Sequence, residues 1–105
     1  MSLKIAIDPA RIRFFCLNHN IRKMSLFGSV LREDFGSYSD VDVLVEFEPG
    51  HVPGLAFFGM EEELSRVLGR KAHLNTAGFL SRHFRDRVLA EAEAVYSVGS
   101  GEGLE

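Results

Sequence analysis

The sequence predicts an α+β fold, a small mixed β-sheet with helices packed on one of its faces. Three observations predict it. Val41 to Phe47 is a short run rich in β-branched residues, the composition of a strand. Leu55 to Leu68 instead carries apolar residues at 57, 60, 64, 67 and 68, the rhythm of one helical stripe. Such segments alternate as helix, strand, short helix, strand, helix, strand, helix, and an order of this kind packs its helices over one sheet face and leaves the other for a site.

Taken in order, Asp8-Pro9 starts a helix, Asp accepting from free amides and Pro being tolerated in the first turn. That helix runs from about Pro9 to Leu17 and ends near Asn18-His19-Asn20. Ile21 to Phe27 reads as a strand, Gly28-Ser29 as its turn, and Val30 to Glu33 as the opening of a short helix. After the strand Val41 to Phe47, two prolines and two glycines between Glu48 and Gly54 mark a loop. The helix Leu55 to Leu68, with Glu61 to Glu63 facing out, is stopped by Gly69. Lys71 to Asn75 is a short strand with Ala72 and Leu74 inward and Lys71, His73 and Asn75 on the opposite face. A last helix is expected from about Leu80 to Ala94, with Phe84, Val88, Leu89 and Ala92 as its core stripe. Residues 5–98 form the core of one domain spanning 1–105, and 99–105 a flexible tail; Ser97 already reads as part of that loose end.

At 105 residues there is no room for a second core. A hydrophobic content of 46% with balanced charges describes a soluble, folded chain. The net charge of −3 argues against strong nucleic-acid binding, which wants a basic surface. A single cysteine, Cys16, excludes an internal disulfide and reads as a small hydrophobe of the first helix. With no apolar run near the roughly 20 residues of a membrane span, and with Met1 to Ala6 too short for a signal peptide, a cytoplasmic setting and no membrane partner are expected.

The chemistry concentrates between Phe27 and Leu44. Gly28-Ser29 is followed by ten residues and then by Asp40-Val41-Asp42. Side chains alternate across a strand, so Asp40 and Asp42 point one way while Val41, Val43, Val45 and Phe47 point into the core. Two carboxylates on one sheet face are costly unless a cation sits between them, which suggests a divalent-metal site. Gly28 lets the backbone approach a ligand closely, and a helix start behind it offers free amides to a phosphate, with the Ser29 hydroxyl as a further donor. Taken singly, Gly28-Ser29 is an ordinary strand-to-helix turn and the Asp pair a solvated strand end.

Together, these residues resemble the signature of the nucleotidyltransferase superfamily that includes DNA polymerase beta and kanamycin nucleotidyltransferase. Arg32, Ser39 and the run Val43-Leu44-Val45-Glu46-Phe47 narrow the resemblance to the minimal nucleotidyltransferase (MNT) antitoxins, over about Ile5 to Val98. The resemblance implies the polymerase beta-like nucleotidyltransferase fold, a nucleoside triphosphate, ATP, held by Gly28 and Ser29, and magnesium held by Asp40 and Asp42. Magnesium usually takes one or two carboxylates, with water and phosphate completing its octahedron. Arg32 reaches a phosphate oxygen or is an ordinary surface arginine; Ser39 joins the nucleotide site or simply braces the loop. The implied activity is transfer of AMP to a tyrosine of a partner HEPN-type toxin, which silences it. Homo-oligomers are compatible with so small a domain, with Phe57 and Phe58 as exposed candidates near a loop.

One position departs from the family's pattern. Where the resemblance implies a third carboxylate, in a stretch like Gly-Arg-Lys-Val-Asp-Leu, this chain has Gly69-Arg70-Lys71-Ala72-His73-Leu74, and no Asp or Glu occurs between Glu63 and Asp86. Losing that charge weakens a second metal. A neutral imidazole can still ligate manganese or zinc and can act as a general base. His73 is then a working catalytic substitute beside Asp40 and Asp42, the mark of a degenerate site that still binds nucleotide, or an inert strand residue; a broken site of this kind leaves a protein that neutralises its toxin by binding alone.

Overall fold

A computed structural model of the chain describes residues 7–31, 40–51, 53–80 and 82–98. Helix α1 (Pro9–Asn18) starts as expected: Asp8 Oδ1 accepts from the Ala10 amide at 3.0 Å, with Pro9 in the first turn. Strand β1 (Ile21–Phe27) leads into a 3-10 turn over Gly28–Leu31, and β2 (Val41–Phe47) runs back antiparallel beside it. Helix α2 (Ala56–Leu68) ends at Gly69, whose φ of 76° is the left-handed cap conformation that glycine adopts without penalty. Strand β3 (Ala72–Asn75) then lies parallel to β2. A second 3-10 turn (Ala77–Phe79), helix α3 (Arg82–Glu91) and strand β4 (Glu93–Ser97) complete the order.

The sheet order is β3-β2-β1-β4. On one face, Ile12, Phe15 and Cys16 of α1 and Met60 and Leu64 of α2 meet Met24, Leu26, Val41, Val43, Val45, Ala72 and Leu74 of the sheet, all buried. Each Val, Leu, Ile, Met or Phe side chain among them removed from water contributes about 1.5–3 kcal/mol, and burying one face of the strands in this way specifies their register. His19, at the end of α1, ties the two helices together through Nε2 to Glu63 Oε1 at 3.0 Å.

The α+β class and mixed sheet are as the sequence predicts, but five expectations are corrected. The last helix stops at Glu91, and Glu93–Ser97 forms β4 against β1, with Val95 and Tyr96 packed onto the core. Helix α3 lies on the opposite face, its Val88 meeting Leu80, Phe27 and Leu44, so the helices do not all share one face. Phe84 and Leu89 are exposed rather than part of a core stripe. Glu61 and Glu63 turn toward neighbours instead of outward, and Phe57 is half-buried while Phe58 is exposed. The anticipated tail 99–105 lies outside the described residues, and none of the described helices is long and apolar enough to cross a membrane.

Candidate functional site

The Gly-Ser turn and the first carboxylate strand meet because β1 and β2 pair antiparallel with Phe27 opposite Asp42. The residue after Phe27 is therefore delivered to the Asp42 side chain. Gly28 has φ +79°, and a Cβ built on it would stand 2.5 Å from Asp42 Oδ2. Only a residue without a side chain fits. Ser29 follows in the same turn, whereas Arg32 and Ser39 lie outside the described residues.

The second convergence comes from β3. Its parallel register sets Asp42 beside His73. Because Asp40 is two residues back on the same side of the chain, the imidazole reaches it: His73 Nε2 is 2.8 Å from Asp40 Oδ2. A carboxylate accepts and does not donate, so the ring gives its Nε2 proton to Asp40. Both side chains are nearly half exposed, at 42% and 46%. The cluster is thus open to a ligand, and the pair itself adds little to stability.

Behind these groups the strand is braced. Asn75 Nδ2 donates to the His73 carbonyl at 3.2 Å. From α2, Ser65 Oγ accepts from the Ala72 amide at 2.9 Å and Glu61 Oε2 from the Leu74 amide at 2.8 Å. Sequence reasoning missed Glu61, Ser65 and Asn75. The available signal was that Glu61 and Ser65 stand one helical turn apart beside the stripe of Met60 and Leu64.

Gly28, Asp40, Asp42 and His73 thus lie together at one end of the sheet, where β1 finishes and β2 and β3 begin. Among the described residues, no three side chains of His, Cys, Asp or Glu are gathered so as to hold an ion by themselves. Cys16, by contrast, is sealed in the core, where burial pushes its thiol up to about 12.

The chain has clear relatives. Residues 11–95 match the nucleotidyltransferase domain family. The chain is 36% identical over 72 residues to the protein adenylyltransferase MntA of Thermococcus cleftensis, spanning 68% of this chain and 71% of that one. It is similar to a solved structure provisionally assigned as a minimal nucleotidyltransferase, at 30% identity and a TM-score of 0.66 over 80% of this chain and 85% of the other. The fold is also that of a chain in the complex of a tri-AMPylated Shewanella oneidensis HEPN toxin with an MNT antitoxin, with a TM-score of 0.62, 17% identity, and 86% and 70% of the two chains covered. The chain belongs to the nucleotidyltransferase family and, within it, to the minimal nucleotidyltransferases.

Proposed function

We propose that this protein is a nucleotidyltransferase of the antitoxin type, which transfers AMP from ATP to a HEPN-type toxin partner. The observation that carries the reading is the close approach of Gly28, a residue with no side chain, to the Asp42 carboxylate, two residues from Asp40. Gly28 and Ser29 hold the polyphosphate through the turn's backbone. Asp40 and Asp42, two carboxylates on one strand, fit a divalent cation that takes its other ligands from phosphate and water. A magnesium or manganese ion held by Asp40 and Asp42 would supply positive charge against the phosphates; in the reaction itself the acceptor hydroxyl attacks the α-phosphorus and pyrophosphate leaves. His73, with Nε2–H given to Asp40, takes the acceptor's proton on Nδ1. The relatives' adenylyltransferase name and the AMPylated toxin complex support the choice of nucleotide and partner.

A second reading is favoured by the same hydrogen bond. Asp40 Oδ2 is already engaged by an imidazole where an acid would add a charge, and on that reading the protein silences its toxin by binding alone. ATP labelled at the α-phosphate, compared with ATP labelled at the γ-phosphate, decides between them when each is incubated with magnesium or manganese and the HEPN partner. Transfer of the α label only, lost in Asp42→Ala, is the expected result. No transfer with either metal, while the complex still forms, would establish the binding-only reading.

A further inference from the structure

Among the described residues, strand β3 ends the sheet order and pairs with β2 alone. The Val41 amide donates to the Lys71 carbonyl at 2.9 Å, and in a parallel ladder that alternation turns the amides of Ala72 and Leu74 outward. Outward amides on a sheet edge normally invite another strand. Here one helix takes both: Ala72 N–H gives to Ser65 Oγ and Leu74 N–H to Glu61 Oε2. The Ser65 hydroxyl in turn gives its proton to the Glu61 carbonyl at 2.9 Å. The two fastened amides are those immediately before and after His73.

We propose that Glu61 and Ser65 are positioning residues for His73, a latch from α2 that holds the strand so that the imidazole stays on Asp40. Two features support a positional role. Strand β3 is only four residues long, so the β2 ladder alone is a short anchor for a side chain held at 2.8 Å from its partner. The Glu61 bond is also charge-assisted and part-buried, hence the stronger of the two. Glu62, the next residue on the helix, is exposed and serves as the control. The functional consequence rests on the reading of Asp40, Asp42 and His73 as the reaction centre, but the structural test does not.

That test is nuclear magnetic resonance on the full chain, following amide exchange at Leu74 and the ring resonances of His73. Glu61→Ala is expected to speed exchange at Leu74 about tenfold and to move the His73 ring toward the shifts it shows in Asp40→Asn. Glu61→Gln, whose amide oxygen can accept the same bond, is expected to restore both, and Glu62→Ala to change neither. Faster exchange at Leu74 with an unmoved His73 ring would mean that Glu61 only seals the sheet edge, and would overturn the proposal. So would unchanged exchange. Should Glu61→Ala fail to fold by circular dichroism, Ser65→Ala is read in the same way at Ala72. Label transfer to the partner is then expected to fall with Glu61→Ala and recover with Glu61→Gln. A wild-type chain that transfers no label would refute the enzymatic reading, and the His73 ring shift would still decide whether the latch holds.

Discussion

Replacing Gly28 with alanine tests how tightly the turn is set against the acid. An L residue at φ +79° costs about 1–2 kcal/mol in backbone energy. The new methyl carbon would also meet Asp42 Oδ2 at 2.5 Å, so the carboxylate must swing off its rotamer, at about 0.5–1.5 kcal/mol more. Gly50 separates the two contributions, because its φ is +81° and, chain neighbours aside, no described residue lies within 4 Å of where its Cβ would stand. Urea denaturation of Gly28→Ala and Gly50→Ala is therefore expected to show similar backbone losses, with Gly28→Ala worse by about 0.5–1.5 kcal/mol. Nucleotide transfer should separate them further, since a catalytic group displaced by about 1 Å can lose about a hundredfold in rate. A Gly28→Ala protein no less stable than Gly50→Ala and fully active would refute the contact between turn and acid as the organising feature of the site.

Three further outcomes follow from the same geometry. His73→Asp removes the donor to Asp40 Oδ2 and sets a third negative charge beside two others; like charges about 4 Å apart repel by a gross ~4 kcal/mol at an effective dielectric of 20, less here because the pair is half exposed. Its melting temperature should fall below wild type without divalent cation and recover with millimolar magnesium, as scanning fluorimetry would read. Leu64→Ala, at a fully buried position between α2 and the sheet, should cost about 2–5 kcal/mol by denaturant titration, whereas Phe58→Ala on the exposed side of the same helix should stay within about 0.5 kcal/mol. Cys16, raised by burial to about 12, should resist Ellman's reagent at pH 8 until the chain is unfolded. Because the unfolded thiol ionises near its ordinary value of 9.0 while the folded one stays protonated, its effect on stability is a loss as pH rises from about 9 toward 12, and Cys16→Ala should lack that part of the alkaline slope.

The strand β2 was legible because Val41, Val43 and Val45 are β-branched and alternate with Asp42 and Leu44, and the same alternation set Asp40 and Asp42 on one side. β4 was not legible. Glu93 to Ser97 holds only Val95 and Tyr96 as large apolar residues, both half-buried, and Val88 and Ala92 before it continue a helical spacing with no Gly or Pro to break it. Its strand identity comes from pairing with β1 and packing on α1, which are tertiary facts. His73 could be assigned to the site face by parity along its strand. Its contact with Asp40 depends on the parallel register of β3 on β2, which no local pattern encodes. Glu61 illustrates the same limit: a glutamate in an acidic run looks like a solvated face until an edge amide is brought to it.

The most direct test of the central claim locates the ligand on the chain. Manganese added with a non-hydrolysable ATP analogue relaxes nearby nuclei, so in the wild-type protein the amide signals of Gly28, Val41, Asp42 and His73 should broaden first, and Asp42→Asn should abolish that pattern. Broadening centred instead on the cavity that Phe14 of α1 and Val67 of α2 line, or spread evenly over the surface, would contradict the account.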